Sequence, residues 1–561
     1  MATYHNFMTN LPEIRGELPL LLSVFAGLLF PIFLWPRVGR GKPWALATLS
    51  LVLALGLAHD IMFRTRAEDA FITFRYALNL ASGRGVVFNP GERVEGYSNF
   101  LFLLVLAGLK RYLGVDIEMA ARALGVAASV VTIMLTYRLA HRMTGGNRHA
   151  GLLAALLVAA SGTFGAWALS GMETPLFALL GVLVALCVVS QYWLRVGFLI
   201  ALATMTRPDG VLFLLLVGFE AVFAQETMRQ RLKSILGVSI PFLAVIVPWT
   251  LWRLRYYGHL VPNAIKAKEG MDPTYQAALG LVYIWGFLKA NWPILFLFTV
   301  CSVFLHSLGP RRPSERATGP LGLFLLAYVV YVVLVGGDWM PAWRFLAPMV
   351  PLASCLLVGS WNPGRNSVRV SAASQMTVLT FGAVSALLFV TSLVSPNLVP
   401  AVRKWNLQVD GSSEIGAWFH DTLPASTLVA VFANGALSYH SQLPTIDLLG
   451  LTDEHIARFG ERLRVGIPGH LAHDYAYVAG RRPAIIAFLG NRESQGFEAA
   501  PGRGYTTEAL EPFYEPVSFW FPHSKNPLGQ YVNLLILKSE KARVEDLLTR
   551  NTDVRVVDGV P

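Results

Sequence analysis

Long apolar runs alternate along the chain with short charged connections, and each run approaches the roughly 20 residues an α-helix needs to cross a bilayer. Candidate spans are Leu18–Trp35, Trp44–Phe63, Ala120–Ala140, Gly151–Leu169, Pro175–Trp193, Phe198–Met205 continued by Val211–Phe223, Leu236–Leu254, Pro293–Leu308, Leu321–Val335, Phe345–Ser360 and Thr377–Val394. They predict roughly eleven or twelve crossings. Acids precede the first run, and Pro36-Arg37 follows it without a small-residue cleavage pattern, so it is expected to stay as a helix. After Val394 the pattern changes. Short β-rich runs at Thr427–Phe432, Ala484–Leu489 and Tyr531–Lys538 are separated by helical stretches near Glu414–His420 and His473–Ala479. This predicts a soluble α/β domain over 396–561 behind a membrane domain over 1–395. The turn Ala433-Asn434-Gly435-Ala436 follows a strand but lacks a full glycine fingerprint, and it reads as a plain strand-to-helix turn.

Composition agrees with this pattern, since 54% of residues are hydrophobic and only 14% charged. The expected class is a polytopic α-helical membrane protein. Lys and Arg mark cytoplasmic loops. They gather at Arg37, Arg40 and Lys42, at Arg138, Arg142 and Arg148, at Arg195, at Arg229, Arg231 and Lys233, at Arg311, Arg312 and Arg316, and at Arg365 and Arg369. The loops alternate correctly if Phe100–Tyr112 lies in the interface as an amphipathic helix instead of crossing. The opposite face, the periplasm of a bacterial inner membrane, then receives the first loop 64–117, Ser170–Thr174, Tyr256–Tyr283, Gly336–Arg344 and everything after Pro396. Much of the formal charge of +11 lies in the cytoplasmic loops, where it meets anionic lipid, which argues against a nucleic-acid partner. Cys187, Cys301 and Cys355 all fall in apolar runs, so no disulfide framework or thiolate metal site is drawn.

The residues able to do chemistry fall on the periplasmic side. Glu68 and Asp69 follow an apolar run, where adjacent acids are costly to hold. Arg75 and the stretch Asn89–Tyr97, with Glu92 and Glu95, complete the first loop. Glu173 precedes Pro175, as a helix cap or a ligand contact. Arg207 and Asp209 interrupt an apolar segment, so Arg207 either binds an anion or pairs with Asp209. Tyr257, His259, Asn263, Lys266 and Lys268 follow a span, and the lysines either meet a phosphate or snorkel to headgroups. Asp338 and Arg344 lie in a Gly- and Trp-rich loop. Carboxylates can accept the proton of a hydroxyl nucleophile, and cations can stabilise a departing phosphate. There is no Gly-rich loop ending in Lys-Ser/Thr, so the energy must come from the donor itself.

The order of these motifs resembles that of the GT-C glycosyltransferases. The acidic pair, N-P-G-E-R-V-E at Asn89 to Glu95, R-P-D-G at Arg207 to Gly210, Y-Y-G-H-L-V-P-N at Tyr256 to Asn263, G-G-D at Gly336 to Asp338 and I-D-L-L-G-L at Ile446 to Leu451 carry the likeness. Within that class the chain is most similar to the mycobacterial terminal arabinofuranosyltransferases and their proteobacterial relatives. The resemblance implies a GT-C fold and a polyprenyl-phosphate sugar donor, decaprenyl- or undecaprenyl-phosphoryl arabinofuranose. It also implies a periplasmic glycan or glycoprotein acceptor such as pilin. Asp69, with Glu68 beside it, falls where the family keeps its catalytic acids. On this reading the donor is bound by Arg207, Lys266, Lys268, Arg344, Asp338, Glu173, Tyr257, His259 and Asn263. The acceptor is bound by Arg75, Glu92 and Glu95, and Glu68 and Asp69 are the ligands for any divalent cation (Mg, Mn or Ca). The alternative is a flippase or transporter of a lipid-linked sugar, which would set its polar site near the bilayer midplane.

Overall fold

Among the described residues, four helical segments are long and apolar enough to cross a membrane: Lys42–Phe63, Ile117–Met143, Met228–Tyr257 and Pro341–Gly359. Shorter apolar helices at Arg148–Ala159, Thr174–Val189, Trp193–Thr206 and Thr318–Leu334 join them, with a bent pair, Ala383–Val394 and Val399–Thr422. The computed structural model describes residues 42–293, 318–360, 372–488, 493, 508–524, 526–550 and 552–557. The expected span Leu18–Trp35, nearly all of Pro293–Leu308, Cys301, and the basic residues at 37, 40, 311, 312, 316, 365 and 369 lie outside the described residues.

The chain forms two compact units, which do not follow the expected division at 395/396. One comprises residues up to Thr65, Ala121–Thr250 and Pro273–Arg403. The other comprises Arg66–Ala120, Leu251–Asp272 and Lys404–Pro561. The C-terminal α/β part therefore shares a unit with the first loop and with the segment after helix Met228–Tyr257.

In the first unit, helix Arg148–Ala159 starts on Asn147, whose side chain accepts from the His149 and Ala150 amides at 3.0 and 3.3 Å. It is buried on every side from Ala150 onward, the behaviour of a helix apolar all round. Helices Trp193–Thr206 and Met228–Tyr257 approach so closely that a Cβ on Gly197 would sit 2.1 Å from the Val238 carbonyl. Pro208 disfavours helix at the residue before it. Arg207 accordingly stands extended, at φ −152 and ψ 138, between helix Trp193–Thr206 and a short 3-10 turn, Pro208–Leu212.

The second unit is built on a six-stranded sheet of β1 (Val429–Val431), β2 (Thr445–Asp447), β5 (Ile485–Ala487), β6 (Tyr514–Trp520), β7 (Tyr531–Leu537) and β8 (Arg555–Val557). Its order is β2-β1-β5-β7-β6-β8, parallel across β2-β1-β5 and antiparallel beyond. A small hairpin pairs β3 (Glu461–Arg462) with β4 (Ala472–His473). Alternate side chains separate into two cores. Val429, Val431, Leu534 and Ile536 pack with Trp418 and Phe419, while Ala430, Ile486, Leu535 and Leu537 face Ile456 and Val478. Helix Phe100–Leu113 packs on helix Ala70–Ala81 and stops at Gly114, which is left-handed at φ 69. At 14 residues it is about 21 Å long, short of a hydrocarbon core of about 30 Å.

Arg75 fastens the first loop to the α/β part. Its guanidinium donates to the carbonyls of Ser438 and Leu443, both at 2.7 Å, and of Phe88 at 3.0 Å. Asn89 Oδ1 and Thr445 Oγ1 accept from it at 3.2 and 3.3 Å. Asn89 reinforces this seam through the backbone of Thr445 at 2.8 and 3.1 Å. Arg75, expected at the acceptor, is thus a scaffold residue in this structure. The side chain is 2% exposed and every guanidinium N–H is spent inside the fold. Replacing it with Met strands buried carbonyls, so Arg75→Met should lower stability by roughly 3 kcal/mol or more in thermal unfolding of the solubilised protein. An unchanged transition would contradict this role.

Candidate active site

Glu68 and Asp69 lead into helix Ala70–Ala81, where the helix dipole favours negative charge. Asp69 occupies the N-cap position with helical backbone angles, and its side chain caps nothing. It is partly exposed, and its carboxylate has no hydrogen-bond partner among the described residues. Glu68 is committed. Its Oε1 accepts the backbone N–H of Gly435 at 2.5 Å and of Ala436 at 3.1 Å. Only glycine fits there, because a Cβ on residue 435 would lie 2.1 Å from the Glu68 carbonyl oxygen. Burial, and then the neighbouring Asp69, push the Glu68 carboxyl up to about 8 against the opposing pull of the two N–H groups.

The turn that holds Glu68 is itself held. Asn434 donates to Thr452 Oγ1 at 2.6 Å and accepts from Ser438 Oγ at 2.5 Å. Thr452 in turn donates to Asp447 Oδ2 from its amide at 2.9 Å, and Leu449 N donates to Oδ1 at 3.0 Å. Asp447 is fully buried, and burial raises its carboxyl to about 6. On the other flank, Arg66 makes two bonds to Glu118, at 3.0 and 3.1 Å, and pairs with Asp410. Sequence reasoning noted the Ala433–Ala436 turn and the I-D-L-L-G-L stretch without linking either to Glu68, and it did not single out Arg66 or Asn434.

Several other expected residues of this unit turn out to serve the scaffold. Glu95, expected at the acceptor, forms a buried double ion pair with Arg253 at 2.6 and 2.7 Å. Tyr257 donates to the Val86 carbonyl at 2.8 Å, and the Asn263 amide serves the carbonyls of Gly450, Leu451 and Asp453 at 2.8, 3.1 and 3.1 Å. The Tyr257 hydroxyl and the Asn263 amide nitrogen, both expected at the donor, thus serve the scaffold here, while the buried Asn263 Oδ1 has no hydrogen-bond partner among the described residues. His259 meets Glu454 at 2.6 Å, and Glu95, Tyr257, His259 and Asn263 line one small cleft. Lys266 pairs with Glu269 at 2.7 Å and Lys268 is exposed. Glu92 stays near the surface, accepting from Asn89 at 3.0 Å.

The remaining expected donor ligands belong to the first unit. Arg207 makes two 3.0 Å bonds to Asp209, and Tyr328 adds a 2.6 Å bond to the same carboxylate. The guanidinium lies over the rings of Phe177 and Phe345, at 4.8 and 5.1 Å, and its buried Nη1 has no hydrogen-bond partner among the described residues. Arg344 flanks the same Phe345 ring at 5.4 Å and pairs with Asp338 at 2.7 Å. Its loop is strained, since Ala342 and Trp343 both have positive φ, 59 and 50. Buried Glu173 occupies the N-cap position of helix Thr174–Val189 without a side-chain capping bond, and it acts electrostatically on Arg207.

The carboxylate pair fits a divalent cation poorly. One Glu68 oxygen is already taken by two N–H groups, and among the described residues no group of three or more acidic, His or Cys side chains converges. No step is drawn through a metal.

The chain is similar to ArnT from Cupriavidus metallidurans bound to undecaprenyl phosphate, with a TM-score of 0.56 and 13% identity, covering 88% of this chain and 98% of that one. The Archaeoglobus fulgidus oligosaccharyltransferase in its apo form follows at TM-score 0.53 and 11% identity, covering 88% and 74%. Its fold is that of the GT-C glycosyltransferases. Within this GT-C chain, residues 100–252 match the family described as dolichyl-phosphate-mannose-protein mannosyltransferase. Residues 400–535 match a domain of unknown function (DUF8728). The terminal β-(1→2)-arabinofuranosyltransferase of Mycobacterium tuberculosis is 30% identical over 340 residues, 52% of this chain and 51% of that protein. Its counterpart from Corynebacterium glutamicum is 26% identical over 323 residues, 50% and 46% of the two. The chain thus spans about half the length of these curated relatives.

The Glu68 proton gives a pH test. The folded state holds that proton more tightly than the unfolded chain, so its contribution to stability is complete below pH 4.5, declines as pH rises and is lost by about pH 8. In a pH series of thermal unfolding, Glu68→Gln should lose this decline while wild type keeps it. Identical pH slopes for the two proteins would contradict the assignment.

Proposed function

We propose that this protein is a glycosyltransferase of the bacterial inner membrane, with its α/β part in the periplasm. It moves a sugar, D-arabinofuranose, from a polyprenyl-phosphate donor to a periplasmic glycan or glycoprotein such as pilin. The observation that carries this reading is the acidic pair. Glu68 is clamped by two backbone N–H groups, while Asp69 presents a carboxylate uncommitted to any hydrogen bond among the described residues. The relatives named as arabinofuranosyltransferases, and the ArnT structure with undecaprenyl phosphate, support the sugar and the donor class. These relatives lend the transporter reading no support.

In the proposed step an acceptor hydroxyl oxygen forms a bond to the anomeric carbon. The bond from that carbon to the phosphate oxygen breaks, and polyprenyl phosphate leaves with the electron pair. Asp69 takes the hydroxyl proton. Glu68, whose carboxyl is pushed up to about 8 chiefly by burial, is held by two backbone N–H groups and fixes the backbone on which Asp69 stands. Phosphate binding by Arg207 and Arg344 is a separate assignment within the first unit, resting on their own surroundings. The spare Nη1 of Arg207 supports this assignment, because a buried cationic N–H without a partner is costly unless a ligand completes it.

Asp69→Asn preserves volume and removes the proton acceptor. Turnover should fall by about two orders of magnitude or more, with donor affinity retained in equilibrium binding of the lipid-phosphate sugar. Near-normal turnover in a well-folded variant would rule Asp69 out as the base.

A further inference from the structure

The second unit carries an exposed apolar edge that the proposed chemistry does not use. It follows helix Glu454–Phe459 into the β3-β4 hairpin, where Phe459, Leu463, Val465 and Ile467 are 74, 49, 57 and 58% exposed. Leu260 and Val261 in the same unit are 65 and 41% exposed. The segment bearing them is tied to the hairpin region along its length. Asn263 binds the carbonyls of Gly450, Leu451 and Asp453. Arg462 donates to the carbonyls of Ala267 and Glu269 at 3.4 and 3.2 Å, and Asp272 N donates to Arg464 O at 2.9 Å. These contacts make one surface out of residues far apart in sequence.

We infer that this edge docks on the bilayer, with its aliphatic side chains among the lipid tails and Lys268 and Arg464 on anionic phospholipid headgroups. Two observations select a lipid surface over another occupant. Residues 259–272 directly continue helix Met228–Tyr257, a candidate span whose most apolar stretch is only 11% buried within the protein, and they lead directly into the apolar helix Pro273–Ala290. The hairpin is therefore stitched to the chain where it leaves the membrane. The exposed cations Lys268 and Arg464 also lie beside the aliphatic positions, an arrangement that suits phosphate above acyl chains. The inference does not rest on the proposed reaction.

Spin labels test it on the full chain. With Cys187, Cys301 and Cys355 replaced, single cysteines are introduced as Val465→Cys, Ile467→Cys and, at an exposed position of helix Lys541–Thr549, Arg543→Cys. Each protein is reconstituted in nanodiscs of phosphatidylcholine and phosphatidylglycerol. Collision with oxygen, which concentrates in lipid, is compared with collision with a water-soluble nickel chelate. Labels at 465 and 467 should favour oxygen and the label at 543 should favour nickel. Adding Lys268→Glu with Arg464→Glu should move the first two toward nickel. A nickel preference at 465 and 467 like that at 543 overturns the inference. Low access to both reagents at 465 and 467 overturns it too, since it would mean that protein, a second copy or an acceptor, covers the edge.

Discussion

Everything proposed for the acidic pair depends on two backbone N–H groups that hold one carboxyl oxygen. Adjacent carboxylates repel, and the protein gives Glu68 a fixed partner while Asp69 has no hydrogen-bond partner among the described residues. Burial and the neighbouring acid favour the protonated form of Glu68 more strongly than the N–H groups favour its anion. Two chemically similar side chains thereby acquire different roles from their surroundings. The clamp also explains why Gly435 precedes the short helix Ala436–Ser441, and why Asn434, Thr452 and Asp447 form a buried polar chain behind it. Such a chain is stable only when its members are satisfied, which ties the position of Glu68 to the core of the α/β sheet.

The cations of the membrane unit obey the same rule about buried charge. Arg207 and Arg344 are each neutralised by an aspartate and share the face of Phe345. A buried arginine left alone would be too costly, whereas one paired yet holding a spare N–H can still receive a phosphate oxygen. The left-handed Ala342 and Trp343 suggest that the loop carrying Arg344 is held in place at some backbone cost, a cost usually found where a side chain must point one way.

Much of the architecture was legible in the sequence because it depends on local pattern. Apolar runs mark helices, Pro208 marks the break at Arg207, and the β-branched runs mark β1, β5 and β7. The strands that escaped notice have weak local signals. β2 is three residues between Pro444 and a glycine turn, β6 contains Glu515 and Pro516, and β8 is three residues long. The candidate site was legible by residue type but not by role. Glu68 meets Gly435 across 367 positions and Arg75 meets Ser438 across 363, and no local window reveals which acid will be clamped or which arginine buried. For the same reason Arg75, Glu95, Tyr257 and Asn263, polar and set in a promising motif order, looked like ligands before their partners were known. The segments 66–120 and 251–272 share a compact unit with the α/β part through such distant pairs, which no local window shows.

The account's central claim is that this GT-C chain transfers a sugar from a lipid phosphate. The direct measurement supplies purified full-length protein in nanodiscs with synthetic polyprenyl-phosphate arabinofuranose, labelled in the sugar, and a periplasmic glycan or pilin acceptor. The label should appear on the acceptor, with one polyprenyl phosphate released for each sugar moved. A protein that binds the donor, yet leaves the label on the lipid with every acceptor offered, would contradict the claim.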